Sequence, residues 1–166
     1  MAVKRRVMVD ANILVAGSIW PRFPYAVLQH ALNGDFQLCL SSIIIEEARK
    51  AVDHISPARL SDFEDFLIAS AFEQVDSPST TEIEANLDLV RDPKDVHVAL
   101  AAIAAKVDFL VSQDRDLTDS GQTTECLHQR VRVLLPAVFL REQMNWTSEA
   151  LENIRKRNWE DLDEPT

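Results

Sequence analysis

The sequence predicts an α/β fold built on a parallel sheet, and three observations carry that expectation. Short apolar runs at residues 5–9, 36–40, 108–112 and 130–135, with a weaker candidate at 73–76, have the length and composition of buried strands. Between them lie stretches with helical spacing of apolar residues and recognisable start and stop residues. Strands separated by helices pair in parallel, because a parallel connection needs a crossover of a dozen or more residues.

Each element has its own justification. The run Val7, Met8, Val9 makes the first strand and stops at Asp10. The helix after Pro24 carries Ala26, Val27, Leu28, Ala31 and Leu32, and Asn33-Gly34 ends it as a left-handed cap does. "FQLCL" at 36–40 is the second strand, and a helix follows Ser41-Ser42. Pro57 suits the first position of a further helix over 57–72. The best-marked helix covers 93–106: Asp92 is its N-cap, Pro93 opens it, and Val96, Ala99, Leu100, Ile103 and Ala104 share one face. "DFLVS" (108–112) and "RVRVLL" (130–135) complete the sheet. After Met144 a cap at Thr147 or Ser148 precedes Leu151, Ile154 and Trp159, which reads as a short amphipathic helix with a fraying acidic end, packed on its own body or on a partner chain.

Length and composition bound the function. The 166 residues suit one domain at 1–140 followed by a helical extension and tail at 141–166, and 46% hydrophobic with 27% charged residues excludes general disorder. No apolar run reaches the roughly 20 residues of a spanning helix, and no charged-then-apolar segment opens the chain, so no membrane association and a cytoplasmic location are expected. Cys39 and Cys126 are expected as buried thiols rather than a disulfide or metal pair. A net charge of −10 is unlike the basic surface of a general nucleic-acid binder. Either nucleic acid is not the partner, or the acids gather at a site neutralised by metal ions.

Five acids fall on one edge of the expected sheet. Asp10 and Asp114 lie just past the first and fourth strands, where ligands of such sheets gather. Ile44, Ala48, Ala51, Val52 and Ile55 define the inward face of their helix, and phase places Glu47 on its flank while Glu46 faces water with Arg49, Lys50 and Asp53. Asp95 is the third residue of the helix begun by Asp92, one turn before Ala99. Asp116 comes in the loop after Asp114. Crowded carboxylates repel unless a cation joins them. Magnesium suits this donor type: it takes one or two carboxylates, keeps waters, and accepts phosphate oxygens. Two such ions about 3.5–4 Å apart support phosphodiester hydrolysis without a protein nucleophile.

Plainer readings stand beside these. Asp92 reads as a cap only, and Asp95 also suits a first-turn acid favoured by the helix dipole. Asp116 is alternatively a loop acid. Asn12 either caps the next helix or holds a metal-bound water, and Ser112 either orients Asp10 or is a plain buried hydroxyl. His97 falls on the polar side of its helix, and none of the four histidines has metal-ligand spacing.

These residues resemble the PIN domain, a family of metal-dependent ribonucleases that includes the VapC-type toxins. "VMVDANILVAG" is similar to the family's opening strand with its Asp and Asn, and "LSSIIIEEARKAV" to the serine-led helix carrying the second acid, here Glu47. "RDPKDVHVALAAIAAKVDFLVSQDRDL" is similar to the longest motif, which carries over Asp95 and Asp114, with Asp116 as the variable fifth position. The resemblance covers residues 4–140. It departs where Ser112-Gln113 replaces the usual Thr-Gly, keeping the hydroxyl and losing the glycine.

The resemblance implies a three-layer α/β/α domain with about five parallel strands in the order 3-2-1-4-5. It also implies a Mg2+ or Mn2+ cofactor, an RNA substrate, a homodimer, and an antitoxin protein as partner. Asp10, Glu47, Asp95 and Asp114 would be catalytic and, with Asp116, bind metal; Asn12 and Ser112 would support them. Arg22, in "WPRFP" (20–24), with Arg91, Lys94 and Arg115, would touch the phosphate backbone, although "WPRFP" is equally a turn leading into a helix. An aspartyl phosphatase wants Asp-x-Asp where Asn12 stands, and a phosphotransfer receiver wants a late Lys that "RVRVLLP" lacks. The remaining alternative is a catalytically degenerate module that binds RNA or protein, which the presence of all four core acids disfavours.

Overall fold

The computed structural model describes residues 3–162. Five strands, β1 (Arg6–Val9), β2 (Gln37–Ser41), β3 (Glu73–Val75), β4 (Phe109–Val111) and β5 (Arg132–Leu134), form one sheet in the order β3-β2-β1-β4-β5. All four pairings are parallel, with Val7 registered against Leu38 on one side and Phe109 on the other. Helices cover both faces, so the expected three-layer architecture and strand order hold. Burial on both faces explains the unbroken apolar runs: Val7, Met8 and Val9 are all inaccessible to solvent. β1 is central, so the residue after Val9 opens at the middle of the sheet's carboxyl edge.

That residue, Asp10, begins a helix that the apolar pattern does not predict. α1 (Ala11–Ile19) starts at once, with the Asp10 carboxylate accepting the Ile13 amide at 3.0 Å as its N-cap. Asp10 is therefore the cap, and Asn12 is an exposed residue of the first turn. α1 has no clear polar face because it packs against both α2 (Phe23–Leu32) and α3 (Ser42–Ile55), burying Ile13, Leu14, Val15 and Gly17. A Cβ on Gly17 would stand 2.4 Å from Leu28 Cδ1, so glycine permits the close approach of α1 to α2.

The other boundaries obey local chemistry. α2 ends at Asn33, with Gly34 at φ +78°, and the Ser41 hydroxyl caps α3 at the Ile44 amide. The expected 57–72 helix is a 3₁₀ turn at Pro57–Arg59 followed by α4 (Leu60–Ala69). α5 (Thr80–Ala85), unforeseen, is begun by a Ser79–Glu82 capping box. The expected 93–106 helix is a 3₁₀ turn at Pro93–Asp95 running into α6 (Val96–Ala105), closed by Lys106 at φ +54°. Short helices α7 (Arg115–Thr118), α8 (Glu125–Arg130) and α9 (Pro136–Gln143) are not picked out as elements by the apolar pattern. Cys39 is buried and free, whereas Cys126 on α8 is exposed, which corrects the expectation of two buried thiols.

The C-terminal segment folds back onto the body. Thr147 caps α10 (Ser148–Ile154), which buries Leu151 and Ile154. Beyond it, Arg157 Nε donates to Pro21 O at 2.7 Å and Trp159 Nε1 to Ile19 O at 2.8 Å. The Trp159 ring meets Tyr25 edge-on at 5.3 Å and lies 4.2 Å beneath the Arg59 guanidinium. The last four residues of the acidic end, 163–166, lie outside the described residues. No described helix is long and apolar enough to cross a membrane.

Candidate active site

The site is assembled from the carboxyl ends of β1 and β4 and the turn that starts α6. Asp10 is 5% exposed. One of its oxygens accepts the Ile13 amide and the other accepts the hydroxyl of Ser112, itself fully buried past β4. The Ser112 oxygen in turn accepts the Asp114 amide at 2.9 Å. Ser112 thus orients Asp10, one of the two roles its sequence position left open. Asp114 is the N-cap of α7, with its Oδ1 accepting the Asp116 amide at 2.8 Å. Asp116 accordingly sits in the first turn of α7 rather than in a loop.

Asp95 is half-buried, and its Oδ2 is buried with no hydrogen-bond partner among the described residues. Burial first, then the adjacent Asp114 carboxyl, and then the charges of Asp92 and Asp10, push its pKa up to about 8. Asp10 is pushed up to about 6, mainly by burial; the Ser112 and Ile13 hydrogen bonds oppose this, and the charges of Asp114 and Glu47 add to it. Such shifts mark groups whose ionisation the fold leaves uncompensated, a common property of functional sites. A cation would compensate it. Asp92, Asp95 and Asp116 each offer an oxygen within 4.8 Å of the others. Asp92, read from sequence as a cap only, does cap the Lys94 amide at 3.0 Å and also joins this cluster. Its spacing of three from Asp95 is the signal in the sequence that points to it.

Glu47 departs from expectation. Its side chain is 51% exposed, at the rim rather than the interior, although its charge is felt by Asp10. His97 also departs: it is buried, not on a polar face, because the start of α6 is enclosed. Its Nε2 stands 2.8 Å from Glu47 Oε1, off the line of the ring N–H, and neither ring nitrogen makes a hydrogen bond among the described residues.

The four basic candidates have different surroundings. Arg91 Nε lies 3.2 Å from Asp116, and its Nη2 lies 3.3 Å from Asp119, so it already neutralises part of the acid cluster. Arg22 is held by the C-terminal segment, donating to Arg157 O at 3.2 Å and Asn158 Oδ1 at 3.4 Å. Lys94 and Arg115 are exposed beside Asp95 and Asp114.

Comparison with known proteins identifies the fold and the family. No curated protein matches the chain. The fold is similar to the crystal structure of PAE2754 from Pyrobaculum aerophilum, with a TM-score of 0.54 and 18% identity over 86% of this chain and 97% of that one. It is also similar to VapBC2 from Rickettsia felis, solved bound to a DNA fragment from their promoter, with a TM-score of 0.51 and 19% identity over 78% of this chain and 96% of that one. The family profile described as the PIN domain matches residues 6–116, a span that takes in every acid of the site. The chain belongs to the PIN-domain family.

Proposed function

We propose that this chain is a Mg2+- or Mn2+-dependent endoribonuclease that hydrolyses RNA phosphodiester bonds. The observation that carries this reading is the buried Asp95 oxygen without a hydrogen-bond partner among the described residues, in a carboxylate that gathers within 4.8 Å of those of Asp92 and Asp116 at the carboxyl edge of the sheet. The donor set fits a hard divalent cation: every group is a carboxylate, and no thiol or imidazole intrudes among Asp92, Asp95 and Asp116. Asp10, Asp95, Asp114 and Asp116 would hold the metal, with Asp92 beside them and Glu47 reaching in from the rim. When bound, such an ion supplies positive charge to the phosphoryl oxygens and acidifies a coordinated water.

The remaining work falls to the chain itself. Ser112 and the Ile13 amide fix the Asp10 carboxylate, and the Asp116 amide fixes Asp114, so both are oriented before substrate arrives. Asn12, exposed two residues past Asp10, offers an amide to a bound water. Arg115 and Lys94 provide positive charge for the phosphate backbone on either side of the acids. The likeness to VapBC2 supports a toxin of a toxin–antitoxin pair; in this reading the chain acts as a cytoplasmic homodimer and is silenced by a small antitoxin protein laid over the acidic edge.

The test is cleavage of a panel of labelled RNAs, tRNA included, with magnesium or manganese, with EDTA, and with Asp95→Asn. Cutting that needs both metal and Asp95 is the expected result. Absence of both cutting and metal binding would overturn the nuclease reading in favour of a degenerate binding module.

A further inference from the structure

A cavity of about 300 Å3 lies beside the acidic edge and, of the groups above, takes in only Arg22. It is lined by Ala16, Trp20, Arg22, Phe23, Gln113 and Arg155, among others. Gln113 ties it to the acids, standing between Ser112, which holds Asp10, and Asp114. Ala16 is six residues along α1 from the Asp10 cap, about 9 Å at 1.5 Å per residue. Two or three stacked nucleotides span that distance, at about 3.4 Å each.

The lining has a consistent chemistry. Trp20 is 42% exposed, in an extended residue between α1 and α2. The other two tryptophans are committed, with Trp146 Nε1 donating to His30 at 2.9 Å and Trp159 Nε1 to Ile19 O. Arg155 has a side chain 61% exposed, and the Glu152 carboxylate of its own helix is 3.8 Å away, beyond hydrogen-bond reach. Arg22 is braced by two acceptors in the C-terminal segment, which fixes its guanidinium in advance. In a chain of net charge −10, two arginines, two aromatic rings and a carboxamide around one cavity select a planar, anionic ligand. Unpaired nucleotides are recognised in this way, by stacking on aromatic rings, arginine contacts to phosphate, and polar contacts to base edges.

We infer that this cavity is a subsite for one unpaired RNA nucleotide, its base stacked on Trp20, its phosphate bound by Arg155 and Arg22, and its base edge met by Gln113. A phosphodiester two or three nucleotides along the same strand then lies at Asp10 and Asp114. The inference rests on the nuclease reading for its substrate. It gives the C-terminal segment, which lies outside the residues matched to the family, a part in selecting single-stranded RNA.

The test uses the intact chain carrying Asp95→Asn, so that RNA is bound and not cut, with a short labelled single-stranded RNA and the matching duplex in fluorescence anisotropy. Trp20→Ala is expected to weaken single-strand binding roughly tenfold, and Trp20→Phe to restore most of it. Arg155→Ala is expected to weaken binding several-fold, whereas Arg132→Ala, an exposed arginine at the opposite end of the sheet, leaves it within about twofold. The duplex should bind weakly and respond little to Trp20→Ala. Equal losses at Arg155 and Arg132, or no loss with Trp20→Ala, would overturn the subsite. In the chain with its own Asp95, Trp20→Ala should raise KM more than it lowers kcat. Cleavage with unchanged KM in the Trp20 and Arg155 variants sinks the subsite and spares the nuclease. Trp20-dependent binding with no cleavage of any RNA does the reverse.

Discussion

Ser112 donates its hydroxyl hydrogen to Asp10 while the same oxygen accepts the Asp114 amide, so one fully buried group links the acids of two adjacent strands. Ser112→Ala leaves a buried Asp10 oxygen without its donor, at a cost of about 1–3 kcal/mol. The hydroxyl also holds the Asp10 pKa below where burial alone would put it, so its loss shifts that pKa further above about 6. A proton then competes with metal at neutral pH. Chemical denaturation should show the loss of stability, and a Mn2+ titration at pH 7 should show weaker binding that recovers as the pH is raised. Undiminished Mn2+ affinity at pH 7 would mean Asp10 is not part of the metal site.

The stability of the metal-free chain should fall as pH rises from about 4 to about 8. Asp95 and Asp10 hold protons in the folded chain up to about 8 and about 6, against an ordinary 3.8. Across that window the unfolded chain has released protons that the folded chain keeps, so deprotonation favours unfolding, and the effect levels off above about 8. Asp95→Asn removes the larger part of this penalty. With solvent screening at a half-buried carboxyl, the gain at pH 8 is on the order of 1 kcal/mol, a rise of about 2–4 °C in Tm for a chain of this size. It should shrink toward pH 5, and stabilisation by Mn2+ should shrink with it at pH 8. Thermal melts in EDTA and in Mn2+ at several pH values check both. A lowered Tm with an intact metal response would refute the clustered-acid site.

How far the sequence exposes this arrangement depends on how each residue earns its place. β1 and β4 were legible because strands covered on both faces must be continuously apolar, and the polar residues that end them, Asp10 and Asp114, stand out by contrast. α1 was not legible, because a helix enclosed by two others shows no polar stripe, and Ile13-Leu14-Val15 reads equally as strand. Helical phase located Asp95, yet placed Glu47 too deep, since the flank of an inward face becomes solvent-exposed wherever the neighbouring layer stops. Asp92 was hidden by its second role, because a capping carboxylate and a ligand carboxylate have the same sequence signature. His97 was misplaced for a related reason: pattern treats imidazole as polar, and the fold buries it against Glu47.

Arg91 bridges Asp116 and Asp119 and supplies positive charge where a metal would supply more. Its removal should therefore act in opposite directions on the two states. In Arg91→Ala the metal-free chain loses two partly exposed ion pairs and should melt lower, by about 1–4 °C, since each such pair contributes under about 1 kcal/mol. Metal affinity should rise a few-fold, because the ion no longer competes with the guanidinium for Asp116. Calorimetric titration with Mn2+ decides the sign. Weaker binding in Arg91→Ala would mean that Arg91 orients Asp116 for the metal instead of competing with it.

Trp159 anchors the C-terminal segment through three contacts of different kinds: an indole hydrogen bond to Ile19 O, an edge contact with Tyr25, and the overlying Arg59 guanidinium. Aromatic and cation–π contacts at a partly exposed site contribute about 0.5–1 kcal/mol each, and the hydrogen bond about 1 kcal/mol, so Trp159→Ala should cost at least about 2 kcal/mol. That corresponds to a fall of about 4–8 °C in Tm. Trp159→Phe keeps a ring beside Tyr25 and Arg59 but loses the N–H, and should lie between the two. Release of the segment also withdraws the Arg157 carbonyl and Asn158 from Arg22 and exposes the chain near Arg155 and Arg157 to trypsin. Digestion at these arginines should therefore accelerate in Trp159→Ala well below its melting temperature, while cleavage elsewhere keeps its original rate. Unchanged digestion would show that α10 alone, through Leu151 and Ile154, holds the segment in place.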